Sequence, residues 1–380
     1  MHEPLLLKGA PGSPYTRKML ALLRYRHIPY SLLIPGAPRL EGLPAPKVEL
    51  LPTFYLPNAT GELEAVTDST PLLRRFEAQF PGPRVQPPDP VIRFLDSVLE
   101  DYADEWLTKP MFHYRWHFAA DAAKSGNILP RWRKLATTDA VAAERAAEFS
   151  SRQIGRLHFV GSNPTTADVI EQSYLRFLAA FEAHLAQHPY LMGARPGASD
   201  FGVFGQLTQL AHFDPTPSAI TLAQAPRVYT WTWLTEDLSG LAPTEADWIT
   251  RDAIPPTLLA LLAEAGRTYV PLMLAHARAL EAGAERVETE IDGRAWVQNP
   301  FPYQGKCLRW LREEFAALGA ADQKAAMDVL DAAGCGALIS DAQPEWMRDF
   351  GTLSKLQCET ARVQARIDEA VGIIEPEDRA

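Results

Sequence analysis

Ser13 and Tyr15 stand inside LKGAPGSPYTRKMLALL (residues 7–23), where a short apolar run is followed by a Gly/Pro turn, hydroxyls and two adjacent cations. Ala10-Pro11-Gly12-Ser13-Pro14 reads as a turn, Ser13 as a helix N-cap, and Pro14 as the first helical residue, because its missing N–H would have had no intrahelical partner. A helix start presents free N–H groups and a partial positive charge, so it favours an anion. Ser13 is placed either to cap only or also to donate to such an anion; Tyr15 is a neighbouring donor or a ring packed under the sheet. Asp68 and Ser69 set an acceptor and a donor at a second helix start, ahead of Pro71. His113 and His117 are four residues apart, as are His184 and His188, a spacing that allows metal ligation on one helix face. Neither pair has a third ligand close by in sequence, so no metal is expected.

These residues need elements to position them. Residues 5–7 read as a strand, about 14–25 as a helix, 28–34 as a strand, 52–57 and 62–67 as a hairpin about NATG, and 68–80 as a capped helix. The order specifies a small mixed sheet covered by helices. PGPRVQPPDP (81–90) is a stiff linker, after which apolar residues recur at three- and four-residue spacings over 91–107, 137–160, 166–187 and 199–213. WLTKPMFHYRWHF (106–118) is aromatic-rich beside an expected kink at Pro110. ERVETEIDGRAWVQ (285–298) alternates in polarity about Asp292-Gly293, a hairpin signal, before helices resume.

The formal net charge of -10 argues against nucleic acid or an anionic membrane as the main partner. Cys307, Cys335 and Cys358 are widely spaced and odd in number, so neither a disulfide framework nor a metal spacing follows. No signal peptide is visible, and the apolar stretches read as too short for the roughly 20 residues of a membrane span. A cytoplasmic protein is expected.

Four segments in order resemble the glutathione S-transferase family. GSPYTRK (12–18) is similar to that family's Ser-Pro-aromatic-x-Arg motif, and LLPTF (50–54) sits where its cis-proline strand belongs. TDST (67–70) matches the acid-Ser pair, and PYLMGARPGASDFGVFGQL (189–207) the Gly loop and Asp-containing helix start of the helical domain. The resemblance implies a thioredoxin-like glutathione-binding domain over 1–83 and an all-helical domain over 90–240. The remaining 241–380, mostly helical with the hairpin, is expected to dock on the helical domain.

It further implies glutathione as co-substrate, transferred as thiolate to a small electrophile, and a homodimer. A free thiol near pKa 8.5 is mostly protonated at neutral pH, so the site must stabilise S⁻. The implied donors are Ser13 and Tyr15. Leu51 and Pro52 would pair with the tripeptide backbone, and Asp68 and Ser69 would take its γ-glutamyl amino and carboxylate groups. Tyr114, Trp116 and His117 would line the second-substrate pocket, and Asp200 would be a buried structural cap. Ser13 in place of a cysteine disfavours glutathione-disulfide chemistry. The alternative is a non-catalytic glutathione-binding or protein-interaction module. In FPYQGKCLRWLREEF (301–315), Cys307, Trp310 and Phe315 recur at helical spacing, which thickens the helical core or a subunit contact, or covers part of the interdomain cleft.

Overall fold

The apolar run at the N-terminus forms one of the two inner strands of a four-stranded sheet in the computed structural model, which describes residues 3–340; Cys358 and the rest of 341–380 lie outside the described residues. β1 (Leu5–Lys8) pairs parallel with β2 (Tyr30–Leu33) and antiparallel with β3 (Thr53–Pro57), which pairs antiparallel with β4 (Leu63–Val66), in the order β2-β1-β3-β4. The register sets Leu7 against Phe54. Both share one core with Met19 and Leu23 of α1 (Pro14–Tyr25) and Leu73 and Phe76 of α2 (Ser69–Gln79). Burying such side chains supplies roughly 1.5–3 kcal/mol each before entropy is charged.

The second layer begins with α3 (Pro90–Tyr102), capped by Asp89. It continues through a π-helical stretch, Ala103–Leu107, into α4 (Thr108–His117). The single helix expected over 91–107 thus widens in its last turn, just ahead of Pro110, whose ring and missing N–H strain a regular turn upstream. α5 (Ala119–Ile128), α6 (Asp139–Ile154), α7 (Ala167–Leu185) and α8 (Ala198–Leu207) follow, then a second π-helical stretch, Thr208–Phe213, and α9 (Pro215–Gln224) and α10 (Pro226–Leu234). α6 is shorter than the expected 137–160, a separate 3₁₀ turn occupying Leu157–Val160.

α8 is the central support. Asp200 accepts from the backbone N–H of Leu191 at 2.9 Å and of Gly197 at 2.8 Å, while Asp96 of α3 accepts from Ala198 and Ser199 at the same helix start. On its other side α8 meets α1 so closely that a Cβ on Gly205 would stand 2.5 Å from the Pro14 carbonyl oxygen.

The extension packs on these helices. α11 (Pro256–Glu281) is long and apolar enough to cross a membrane, contrary to the short apolar stretches expected, yet 67% of its apolar window is buried inside the molecule. β5 (Val287–Ile291) and β6 (Arg294–Gln298) form the hairpin, with positive φ at both Asp292 (56°) and Gly293 (68°) as a two-residue turn of this hand requires. α12 (Pro302–Ala316), α13 (Ala320–Ala332) and α14 (Ala337–Ser340) complete it. Trp296 packs against Trp106 with ring centres 5.5 Å apart, and Phe315 against Phe94 at 5.4 Å, both pairs tilted.

Candidate active site

The start of α1 is built as its sequence dictates. Ser13 Oγ accepts from the Thr16 N–H at 3.2 Å and donates to the Leu51 carbonyl at 3.3 Å, with the residue 1% exposed. The turn before it is pinned from the helical layer: Arg115 donates to the Gly12 carbonyl at 3.2 Å and Gln209 to the Pro11 carbonyl at 3.2 Å. A Cβ on Gly12 would stand 2.5 Å from Leu129 and 2.6 Å from Trp132, so this turn needs glycine and is roofed by the segment after α5. The two cations of the stretch also have partners. Arg17 pairs with Glu236, and buried Lys18 donates to Glu100 at 2.7 Å and to Asp104 at 2.6 Å.

A cleft opens one turn further along, between the sheet domain and the helices. Tyr15, Leu51, Pro52, Asp68 and Ser69 line it from the first domain, and the Leu51–Pro52 peptide bond is cis. Asp101, Asp104, Glu105, Thr108, Lys109 and Phe112 form its floor, with Phe159 and Val160 at one side. Tyr303, Gln304, Cys307 and Trp310 of α12 close it from above, so the extension covers the cleft as well as adding to the helical core. Asp68 has a φ of 85°, a conformation that costs a non-glycine residue of order 1–3 kcal/mol and that clusters at functional sites. Its carboxylate accepts from Lys306 Nζ at 3.3 Å, and the ammonium lies 4.2 Å from the Trp310 ring centre and 5.2 Å from that of Tyr303.

Sequence expectation and geometry part company at two places. Ser13 is not among the lining residues; its hydroxyl is spent on the helix cap and on Leu51, and Tyr15 faces the cleft instead, its hydroxyl donating to the Asp104 carbonyl at 2.9 Å. Tyr114, Trp116 and His117 do not line the cleft either. At about 100° per residue, Tyr114 and His117 point away from the Phe112 face of α4, and Trp116 lies one turn further along, against Phe149 at 5.6 Å. Their places are taken by Thr108, Lys109 and Phe112, which the aromatic content of the segment does not single out.

The floor concentrates acid groups. Burial first, and then the charges of Asp101 and Asp104, push the Glu105 carboxyl up to about 8. Burial also lifts Asp101 to about 7, although the Tyr269 hydroxyl donates to it. Lys109 is pushed down to about 7 by burial, with Glu105 opposing, and its Nζ donates to Gln298 of β6 at 3.1 Å. The Tyr15 and Cys307 groups are both held protonated, burial again being the main cause. Cys307 is a buried thiol whose Sγ lies 3.8 Å from Glu105, which disfavours a thiolate there.

Fold and cleft together define a thioredoxin-like domain joined to an all-helical one, with a helical cover. Residues 7–84 match the model of the glutathione S-transferase N-terminal domain, and residues 164–232 that of the glutathione S-transferase C-terminal domain. The two matches fall in that order on the sheet domain and on the helical domain, and together they span less than half of the chain. Among solved structures it is similar to a beta-etherase from Sphingobium sp. (15% identity, TM-score 0.41, covering 68% of this chain and 98% of that one). It is also similar to a glutathione transferase family member from Pseudomonas fluorescens with two glutathione bound (14%, 0.37, 68% and 92%). A third is a Tau class glutathione S-transferase from mango, Mangifera indica (16%, 0.36, 68% and 96%). No curated protein matches the sequence.

Proposed function

We propose that this protein binds glutathione along the sheet domain and transfers its thiolate to a small electrophile held under α12. The observation that carries the reading is the meeting of Leu51, Pro52, Asp68 and Ser69 with Tyr15 in one cleft that Phe112, Phe159 and Trp310 also line. Ser69 and Asp68 offer a donor and an acceptor to the γ-glutamyl end, at the start of α2. On this reading the sulfur is set toward Tyr15, a phenol that burial keeps protonated and that would donate to S⁻ by giving up its bond to the Asp104 carbonyl. Ser13 supports the same site indirectly, by holding the helix start and the Leu51 carbonyl in place.

Transfer of glutathione to a generic aryl halide tests the proposal. Tyr15→Phe is expected to lower kcat/KM by about 10- to 100-fold, the worth of a hydrogen bond to a charged group. Equal, saturable rates in Tyr15→Phe and wild type would remove Tyr15 from the mechanism.

A second reading, a glutathione-binding or interaction module without turnover, is favoured by the Asp68 carboxylate already holding Lys306. Calorimetric titration separates the two. Binding with turnover supports the enzyme, binding without turnover of any electrophile supports the carrier, and no binding at millimolar glutathione supports an interaction module.

A further inference from the structure

We propose a divalent-metal site at the junction of α4 and α7, away from the cleft, formed by His113, His117 and Glu171. The ligand atoms of the three lie within 4.8 Å of one another. His113 and His117 are one turn apart on α4, and their rings stack with centroids 4.6 Å apart and planes inclined by only 19°, so both imidazoles project to the same side. Glu171 of α7 meets them there, 58 residues further along the chain, with Oε1 3.3 Å from His113 Nε2. Two ligands at 2.0–2.1 Å from a tetrahedral ion stand about 3.3 Å apart, so this edge already has the spacing of a zinc site.

The outer partner that a metal-bound histidine requires is also present. Ser162 Oγ lies 2.8 Å from His113 Nδ1, both residues buried. With Nδ1–H donating to that hydroxyl, the Nε2 lone pair faces the ion and the ring is fixed in orientation. His117 is exposed and Glu171 half-buried, which provides an entry path and leaves the fourth position for water. Two imidazoles and one carboxylate suit Zn²⁺ and its first-row neighbours over Mg²⁺ or Ca²⁺, which take oxygen ligands.

The second histidine pair provides the contrast. His184 and His188 also stack, at 5.1 Å, but His184 spends Nδ1 on Thr257 at 2.9 Å and Nε2 on the Tyr190 carbonyl at 3.0 Å, so its nitrogens hold the fold. A metal on the first pair would tie α4 to α7, and Phe112, next to His113, is part of the cleft wall. The inference is independent of the transferase reading.

Protein stripped with a chelator and dialysed is titrated with ZnCl₂ by calorimetry, alongside His117→Ala, Glu171→Gln, Ser162→Ala and His188→Ala. Wild type is expected to take up one Zn²⁺ per chain and to melt at a higher temperature with it. His117→Ala and Glu171→Gln should weaken binding by at least as much as Ser162→Ala, for which loss of the outer partner predicts about 10- to 100-fold, and His188→Ala should leave it unchanged. Circular dichroism of each variant confirms that it is folded, and Co²⁺ in place of Zn²⁺ reports four-coordination through its visible bands. No saturable uptake by wild type, or an affinity unmoved in both His117→Ala and Glu171→Gln, overturns the site.

Discussion

Glu100 and Glu105 lie on one continuous helical run, both buried, and their acidities move in opposite directions. Burial disfavours both charges, but Lys18 at 2.7 Å and Arg74 at 3.0 Å overcome it at Glu100 and hold that carboxyl near 2. At Glu105 burial is joined by the charges of Asp101 and Asp104, Lys109 answers only in part, and the group rises to about 8. Burial by itself therefore does not set the charge state of a carboxylate, and one cation does not always outweigh it: Asp104, with Lys18 at 2.6 Å, is still raised to about 6 by burial, whereas Glu100 has both Lys18 and Arg74. Glu100, on the paired side of the helix, sits at the seam between the two domains, whereas Glu105, on the unpaired side, lines the floor of the cleft beside Asp104, a floor residue that Lys18 does reach.

Breaking the paired side should have the largest effect. Lys18→Met leaves Glu100 and Asp104 buried without their shared cation, and a loss of about 3–5 kcal/mol in urea unfolding is expected. A loss under about 1 kcal/mol would mean that Arg74 alone suffices for the seam.

The unpaired side is sharpened by pH. Because the folded Glu105 pKa of about 8 lies above its ordinary 4.5, the folded state holds that proton more tightly, and stability falls as pH rises between those values. Glu105→Gln should flatten this decline and be more stable than wild type at pH 8, at about 1.4 kcal/mol for each pKa unit relieved. Parallel stability curves for the two proteins from pH 5 to pH 8 would show that Glu105 is not the group responsible.

The smallest effect is expected at Ser13, whose hydroxyl is held by Thr16 and Leu51 within the sheet domain. Ser13→Ala removes one cap and should cost about 0.5–2 kcal/mol in thermal or urea unfolding. A larger loss would make the contact with Leu51 as important as the cap itself.

Much of the frame is readable in the chain because local chemistry decides it. Ser13-Pro14 starts a helix and Asp292-Gly293 turns a hairpin whatever surrounds them. Partners of buried charges are not readable in this way: Lys18 meets Glu100 and Asp104 across 82 and 86 residues, and nothing local distinguishes it from exposed Arg or Lys. The cleft wall is hidden for another reason. Aromatic content marks 106–118 as buried but does not say toward what, so Tyr114, Trp116 and His117 look as suitable as Thr108, Lys109 and Phe112, and only the packed orientation of α4 separates them. Helical spacing in 301–315 likewise gives α12 but not the face by which it covers the cleft. Glu171 is invisible beside the histidines until α7 folds against α4.

The contact of Lys306 with Asp68 turns ligand capture, on the proposed reading, into an exchange of one ammonium for another. An incoming γ-glutamyl amine finds a carboxylate whose charge is already answered, so it gains only the difference between two ion pairs. The displaced Lys306 does not need to reach bulk water, since the Trp310 face lies 4.2 Å from its Nζ and can keep it. Affinity at this end of the ligand is thereby held down, while selectivity is raised: a molecule without an ammonium in that position cannot trade places with the lysine and meets a closed door.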